Sequence, residues 1–132
     1  MRSIFLSYRK SDELFVSRLI KNLQYLNFQV YQDCIITLPE KTLLENMLSL
    51  QKRIDFVIII LSKLSSRGTI TDSYWNEVIL DTIIHGRTWL IPVLIQKCDL
   101  PMYIFPSYVE DFSIPSAYSS AFKKLTSRMK VI

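Results

Sequence analysis

Phe5-Leu6-Ser7-Tyr8-Arg9-Lys10-Ser11-Asp12-Glu13-Leu14-Phe15 joins the end of a short apolar segment to the beginning of an amphipathic one. Ile4, Phe5 and Leu6 ahead of Ser7 suit a strand of about Ser3 to Ser7. Beyond it, Ser11 is a suitable N-cap, and Asp12 and Glu13 complement the positive end of a helix running from about Ser11 to Leu26. Phe15, Val16, Leu19, Ile20, Leu23 and Leu26 recur at helical spacing and give that helix its apolar stripe. Polar residues at the carboxyl end of a first strand stand where open α/β sheets place their ligands.

The rest of the chain continues the alternation. Phe28 to Tyr31 alternates apolar and polar as a second strand that ends at Asp33, and Pro39 marks a loop through Leu38-Pro39-Glu40. A helix of about Glu40 to Arg53 buries Leu43, Leu44, Met47, Leu48 and Leu50. Phe56 to Leu61 is a continuous apolar run rich in isoleucine, the signature of a central parallel strand covered on both faces. The polar stretch Ser62 to Asp72 leads to a helix of roughly Ser73 to Ile84, stopped by Gly86. Trp89 to Ile95 reads as a fourth strand in which Pro92 belongs near an edge or a bulge. A short fifth strand at Tyr108 to Phe112 precedes a C-terminal helix, about Ser116 to Lys130, that buries Tyr118, Ala121, Phe122, Leu125 and Met129. Strands alternating with helices predict an α/β, flavodoxin-like three-layer fold with a five-stranded parallel sheet of order 2-1-3-4-5. Its switch point lies between strands one and three, where Ser7 to Ser11 meets Ser62 to Asp72.

Composition bounds the function. With 132 residues, 49% hydrophobic and 21% charged, the chain is expected to be a single globular domain over residues 1–132. The net charge of +4 is scattered apart from Lys123, Lys124, Arg128 and Lys130. That group reads as a solvated helix face, and no nucleic-acid partner is expected. The opening residues lead us to expect no signal peptide, and no apolar run approaches the roughly 20 residues of a membrane helix, so no membrane partner is expected. Cys34 and Cys98 lack C-x-x-C spacing and fit reduced thiols in a cytoplasmic protein. The two glycines, Gly68 and Gly86, exclude both G-x-G-x-x-G and a P-loop. One histidine and two separated cysteines give no metal-ligand pattern, and no G-x-S-x-G elbow occurs.

Within the helix of Ser73 to Ile84, Trp75, Val78, Ile79, Thr82 and Ile83 form the buried stripe. Glu77 and Asp81 lie four apart on another face, with Ser73 one turn before Glu77 and Tyr74 beside it. A carboxylate in the first turn of a helix at a switch-point crevice is a candidate functional acid; the other reading of Glu77 is complementation of the helix dipole. Ser7 and Arg9 are candidates to bind phosphate or ribose, with surface capping of the first helix as the alternative. Tyr8 either walls the pocket or packs in the core. Asp33 either touches ligand or orders its loop. His85, just before Gly86, reads as a partner of the helix's negative end.

From Arg2 to Lys130 the chain resembles a TIR (Toll/interleukin-1 receptor) domain, of the stand-alone bacterial type. Six segments carry the resemblance in register: Phe5 to Asp12; Phe28-Gln29-Val30-Tyr31-Gln32-Asp33; Leu38-Pro39-Glu40; Asp55 to Ser62; Ser73-Tyr74-Trp75-Asn76-Glu77; and Leu100-Pro101 with Tyr108 to Ser113. Many TIR domains are NAD⁺ glycohydrolases or ADP-ribosyl cyclases, and the resemblance implies that Glu77 is the catalytic glutamate, with Ser7, Tyr8, Arg9, Asp33, Ser73 and Tyr74 binding substrate. Cleavage of the nicotinamide–ribose bond builds positive charge on the ribose, which a fixed carboxylate stabilises most in the transition state. NAD⁺ is then the substrate, and no cofactor is implied. The resemblance further implies homo-oligomers through TIR–TIR contacts and a role in antiviral (anti-phage) defence. In that role NAD⁺ is depleted, or a nucleotide signal is made that acts on a separate effector.

Two positions depart from the family pattern. The tryptophan normally stands four residues before the glutamate, whereas Trp75 is two before Glu77, so Tyr74 is the candidate to stack on ligand. Glu40 replaces the glycine of the family's Pro-Gly loop. The competing reading is a non-catalytic TIR–TIR interaction module in signalling. A receiver domain of the same topology needs an aspartate where Ser62 stands, and a nucleoside deoxyribosyltransferase-like enzyme is not expected to carry the Phe5 to Asp12 opening.

Overall fold

Six consecutive apolar residues, Phe56–Leu61, form the middle strand of a five-stranded sheet in the computed structural model, which describes residues 2–35, 54–63, 89–100 and 106–131. The strands are β1 (Ser3–Arg9), β2 (Gln29–Ile35), β3 (Phe56–Leu61), β4 (Trp89–Leu94) and β5 (Glu110–Asp111). They lie in the order β2-β1-β3-β4-β5 with every neighbouring pair parallel, the order expected from the sequence. Every residue of β3 is buried, as its unbroken apolar character requires of a strand covered on both faces.

The two faces divide by strand alternation. Phe56, Ile58 and Ile60 join Ile4, Leu6 and Tyr8 of β1 in the larger core, while Val57, Ile59 and Leu61 join Phe5 and Ile54 in the smaller one. The larger core is capped by α1 (Glu13–Tyr25) and α2 (Tyr118–Val131). α1 buries Val16, Leu19, Ile20 and Leu23 with Phe15 packed against them, and α2 contributes Tyr118, Ala121, Leu125 and Met129 with Phe122 alongside. Thr126 is buried as well. Its hydroxyl donates to the carbonyls of Phe122 and Lys123, which satisfies it inside the layer.

Leu26, expected in the stripe of α1, is exposed because the helix stops at Tyr25. Asn27 follows with φ 68°, and the Asn27 and Phe28 amides donate to Gln24 and Leu23. This is the Schellman arrangement, in which asparagine takes the place that glycine usually fills. At the same end of the sheet, Asp55 ties three strands together. Its Oδ2 accepts from the Ser3 amide at 2.9 Å, its own amide donates to the Ser3 carbonyl, and its carbonyl accepts from the Trp89 amide.

Pro92 sits in β4 opposite Ile59. The Trp89 and Ile95 amides point to β3, so the alternation turns the Pro92 nitrogen toward β5, whose pairing begins only at Val93. A residue without an N–H therefore breaks no ladder bond. β5 is shorter than the sequence suggests. Pro106–Tyr108 turns as a 3₁₀ helix, and only Glu110 and Asp111 pair with β4. The expected helices over Glu40 to Arg53 and Ser73 to Ile84 lie outside the described residues.

Candidate functional site

The sheet splits at its carboxyl end between β1 and β3. Pairing of these two strands stops at Ser7 with Ile59. Beyond that point β1 continues with β2 to Arg9 opposite Ile35, and β3 continues with β4 to Leu61 opposite Leu94. The Lys63 amide donates to Gln96 Oε1 at 3.2 Å and keeps the β3 and β4 ends together. The opening therefore lies where the strand order reverses, the place at which α/β sheets of this topology bind ligands.

A side-chain bond crosses the split. Ser62 follows β3 directly, and its Oγ donates to Asp12 Oδ2 at 2.8 Å, with both residues buried. Asp12 lies in the 3₁₀ turn Lys10–Asp12 that connects β1 to α1, and its side chain makes no capping bond to the helix backbone. The sequence places the start of this helix at Ser11 with Asp12 serving the dipole. The structure instead commits the Asp12 carboxylate to a partner 50 residues away. Burial pushes the Asp12 carboxyl above the ordinary aspartate value, while the Ser62 bond and the Arg9 charge pull it down by less.

Arg9 ends β1 with extended backbone, and its charge acts on Asp12. Among the described residues its Nη1 is buried and has no hydrogen-bond partner. A guanidinium nitrogen in that state is costly unless some further group satisfies it. Arg9 makes no side-chain cap on the following turn. Ser7 is 1% exposed and sits in the ladder between Asp33 and Ile59, a placement that rules out surface capping for it too.

Tyr8 lies on the opposite face of β1 from Ser7 and Arg9. Its ring belongs to the larger core and its hydroxyl donates to Gln32 Oε1 at 3.0 Å. Of the two roles open to Tyr8 from the sequence, packing is the one this geometry provides, because alternation turns it toward the α1 and α2 layer. Asp33 lies in β2 opposite Ser7, and the strand continues past this expected end to Ile35. Ser73, Tyr74 and Glu77 lie outside the described residues. No local sequence pattern reports the Asp12–Ser62 bond, although Ser62 follows β3 directly and Asp12 ends the turn after β1, and that shared place at the switch point was the available signal.

A family model described as the TIR domain matches residues 4–126. The chain belongs to the TIR domain family. Among solved structures, the TIR domain of the Toll-related receptor TRR-2 from Hydra magnipapillata superposes with a TM-score of 0.69 at 14% identity, covering 96% of this chain and 97% of that one. The TIR domains of the activated Roq1 resistosome, which directly recognises the pathogen effector XopQ, superpose with a TM-score of 0.51 at 18% identity over 95% of this chain and 70% of that one. At such identities the likeness is one of fold. No curated protein matches the chain. Within this TIR domain, the opening segment Phe5 to Asp12 thus supplies most of β1, which lies between β2 and β3, and the charged residues Arg9 and Asp12 at the split. No helix among the described residues is long and apolar enough to cross a membrane.

Proposed function

We propose that this TIR domain cleaves the nicotinamide–ribose bond of NAD⁺, as a glycohydrolase or an ADP-ribosyl cyclase. The observation that carries the reading is the buried Arg9 Nη1 without a hydrogen-bond partner among the described residues, at the split between β1 and β3 of a TIR fold. A dinucleotide brings the anionic oxygens such a donor lacks. In this reading Glu77 is the catalytic carboxylate, holding the ribose and stabilising the positive charge that develops as neutral nicotinamide leaves. Ser73, Tyr74, Ser7, Arg9 and Asp33 bind the substrate, Tyr74 by stacking on it. Tyr8 supports Ser7 and Arg9 from the core face of β1. The chain works as a homo-oligomer through TIR–TIR contacts, in the cytoplasm, and its product signals to a separate effector or its turnover depletes NAD⁺ in anti-phage defence.

A second reading, a non-catalytic interaction module, draws on the unusual placement of Trp75 two residues before Glu77. The test separates the two. Purified protein is incubated with NAD⁺ at several protein concentrations, nicotinamide is followed by chromatography, and the nucleotide products are weighed by mass spectrometry. Release of nicotinamide that depends on Glu77 supports the enzyme. Its absence at every concentration, including those at which the protein assembles, supports the module.

A further inference from the structure

Arg9 carries a buried nitrogen without a hydrogen-bond partner among the described residues, while its charge acts on the buried Asp12. A carboxylate near a guanidinium normally forms a short, frequently bidentate pair. Here Asp12 Oδ2 is engaged by Ser62 Oγ at 2.8 Å, from the far side of the split, and the Arg9 guanidinium feels Asp12 as a charge while Nη1 stays without a hydrogen-bond partner among the described residues. We propose that Asp12, anchored by Ser62, is a positioning residue that holds the Arg9 guanidinium at the split with Nη1 kept for a phosphate oxygen of the ligand.

The proposal rests on the dinucleotide reading above and goes past it by assigning the phosphate contact to a three-residue device. Each part has a distinct task. Asp12 supplies the opposite charge that keeps a long cationic side chain from swinging into water, which would cost the ligand the ordering of that side chain. Ser62 restrains the carboxylate, so that it does not spend itself on Nη1. Because Asp12 leads into α1 and Ser62 leaves β3, the same bond fixes the two edges of the split against each other.

The test is calorimetric titration of the full chain with ADP-ribose, inorganic pyrophosphate and nicotinamide riboside. The first two carry phosphate and the third does not, and pyrophosphate separates a free anion from a nucleotide. The variants are Arg9→Gln, Asp12→Asn, Ser62→Ala and Ser62→Thr. Asp12→Asn retains an acceptor for Ser62 and removes the charge. We expect Arg9→Gln and Asp12→Asn each to weaken ADP-ribose and pyrophosphate about tenfold or more, as for loss of a charge-assisted hydrogen bond, with nicotinamide riboside unchanged. Ser62→Ala should behave likewise, because the freed carboxylate collapses onto Arg9, and Ser62→Thr should restore binding. Unchanged phosphate affinity in Asp12→Asn beside a loss in Arg9→Gln overturns the positioning role and leaves the dinucleotide reading standing. Equal weakening of all three ligands in Asp12→Asn reduces Asp12 to a structural residue and also overturns it. If the unaltered chain binds neither phosphate ligand, both readings fall.

Discussion

The Arg18 guanidinium carbon lies 3.7 Å from the centroid of the Tyr118 ring, and this contact locks α1 to α2. Tyr118 is the meeting point of the whole helical layer. Its hydroxyl accepts from Asn22 Nδ2 at 2.7 Å. Its ring stands edge-on to Phe15 and Phe112, at 6.1 and 5.6 Å between centroids, and lies parallel to Phe122 at 6.0 Å. Offset and edge-on pairs of this kind add to simple burial.

Truncation at this position should therefore separate ring from hydroxyl. Tyr118→Ala should destabilise the fold by about 3–5 kcal/mol, the usual cost of removing a buried aromatic. Tyr118→Phe keeps the ring and the Arg18 contact and should cost about 1 kcal/mol, the net worth of one hydrogen bond. Urea unfolding at equilibrium measures both. Equal losses in the two variants would mean that the hydroxyl, rather than the aromatic cluster, holds the layer.

Asp12 gives the stability of the protein a pH dependence of definite sign. Burial raises its carboxyl above the ordinary value, against the Ser62 bond and the Arg9 charge, so the folded chain holds the proton more tightly than the unfolded one. Through the window from the ordinary aspartate value up to the raised one, this residue makes the fold less stable as pH rises, and below the window the cost vanishes. Asp12→Asn removes that dependence and retains the acceptor for Ser62. The stability of Asp12→Asn relative to the unaltered chain should accordingly grow as pH climbs through this window and then level off. The measurement is urea unfolding of both proteins at a series of pH values. A difference that runs the opposite way would show that pairing with Arg9 outweighs desolvation.

What could be read from the sequence follows from how local each signal is. Phe56–Leu61 was legible to the residue, because an unbroken apolar run between polar neighbours has one reading as a central strand. The strand order was legible from the alternation of elements. Strand ends were not. Tyr8 and Arg9 look like loop residues, yet they remain in β1 because Cys34 and Ile35 continue to pair with them, and that partnership is tertiary. The same pairing lengthens β2 past Asp33. At the site, position was legible and chemistry was less so. Ser7, Arg9 and Ser62 were placed correctly at the switch point, while the role of Asp12 depends on a hydroxyl 50 residues away that no local pattern reports.

Substitution at Glu77 tests the proposed chemistry most directly. Glu77→Gln should lower NAD⁺ turnover by about 10²-fold or more, as for loss of one preorganised electrostatic group. Stability should change by at most about 1 kcal/mol, the scale of a first-turn charge on the helix dipole. Turnover by the variant at the unaltered rate removes Glu77 from the mechanism.

The neighbouring aromatics are told apart by different readouts. Trp75→Ala should destabilise the protein by about 3–5 kcal/mol if periodicity places it in the buried stripe. Tyr74→Ala should leave the melting temperature nearly unchanged and raise the KM for NAD⁺. The reverse pattern would shift the helical phase and return the stacking role to Trp75.

Activity should depend on association of the chain with itself. Ligand sites of dinucleotide size bury most of their ligand, and a phosphate is commonly wrapped by glycine-rich backbone, which the two glycines of this sequence, Gly68 and Gly86, do not supply. The split between β1 and β3 offers Arg9 and Ser7 on one side, so further walls are needed. A second copy packing beside the Leu38-Pro39-Glu40 segment would provide them, and Glu40, a charge where the family carries glycine, would adjust that contact. Specific activity should then rise with protein concentration from nanomolar to tens of micromolar, in step with the assembled fraction measured by sizing. Leu38→Ala and Glu40→Lys should flatten the rise without moving the melting temperature. Constant activity per molecule across that range, in a protein that sizing shows to be monomeric throughout, would establish that one chain builds the whole site.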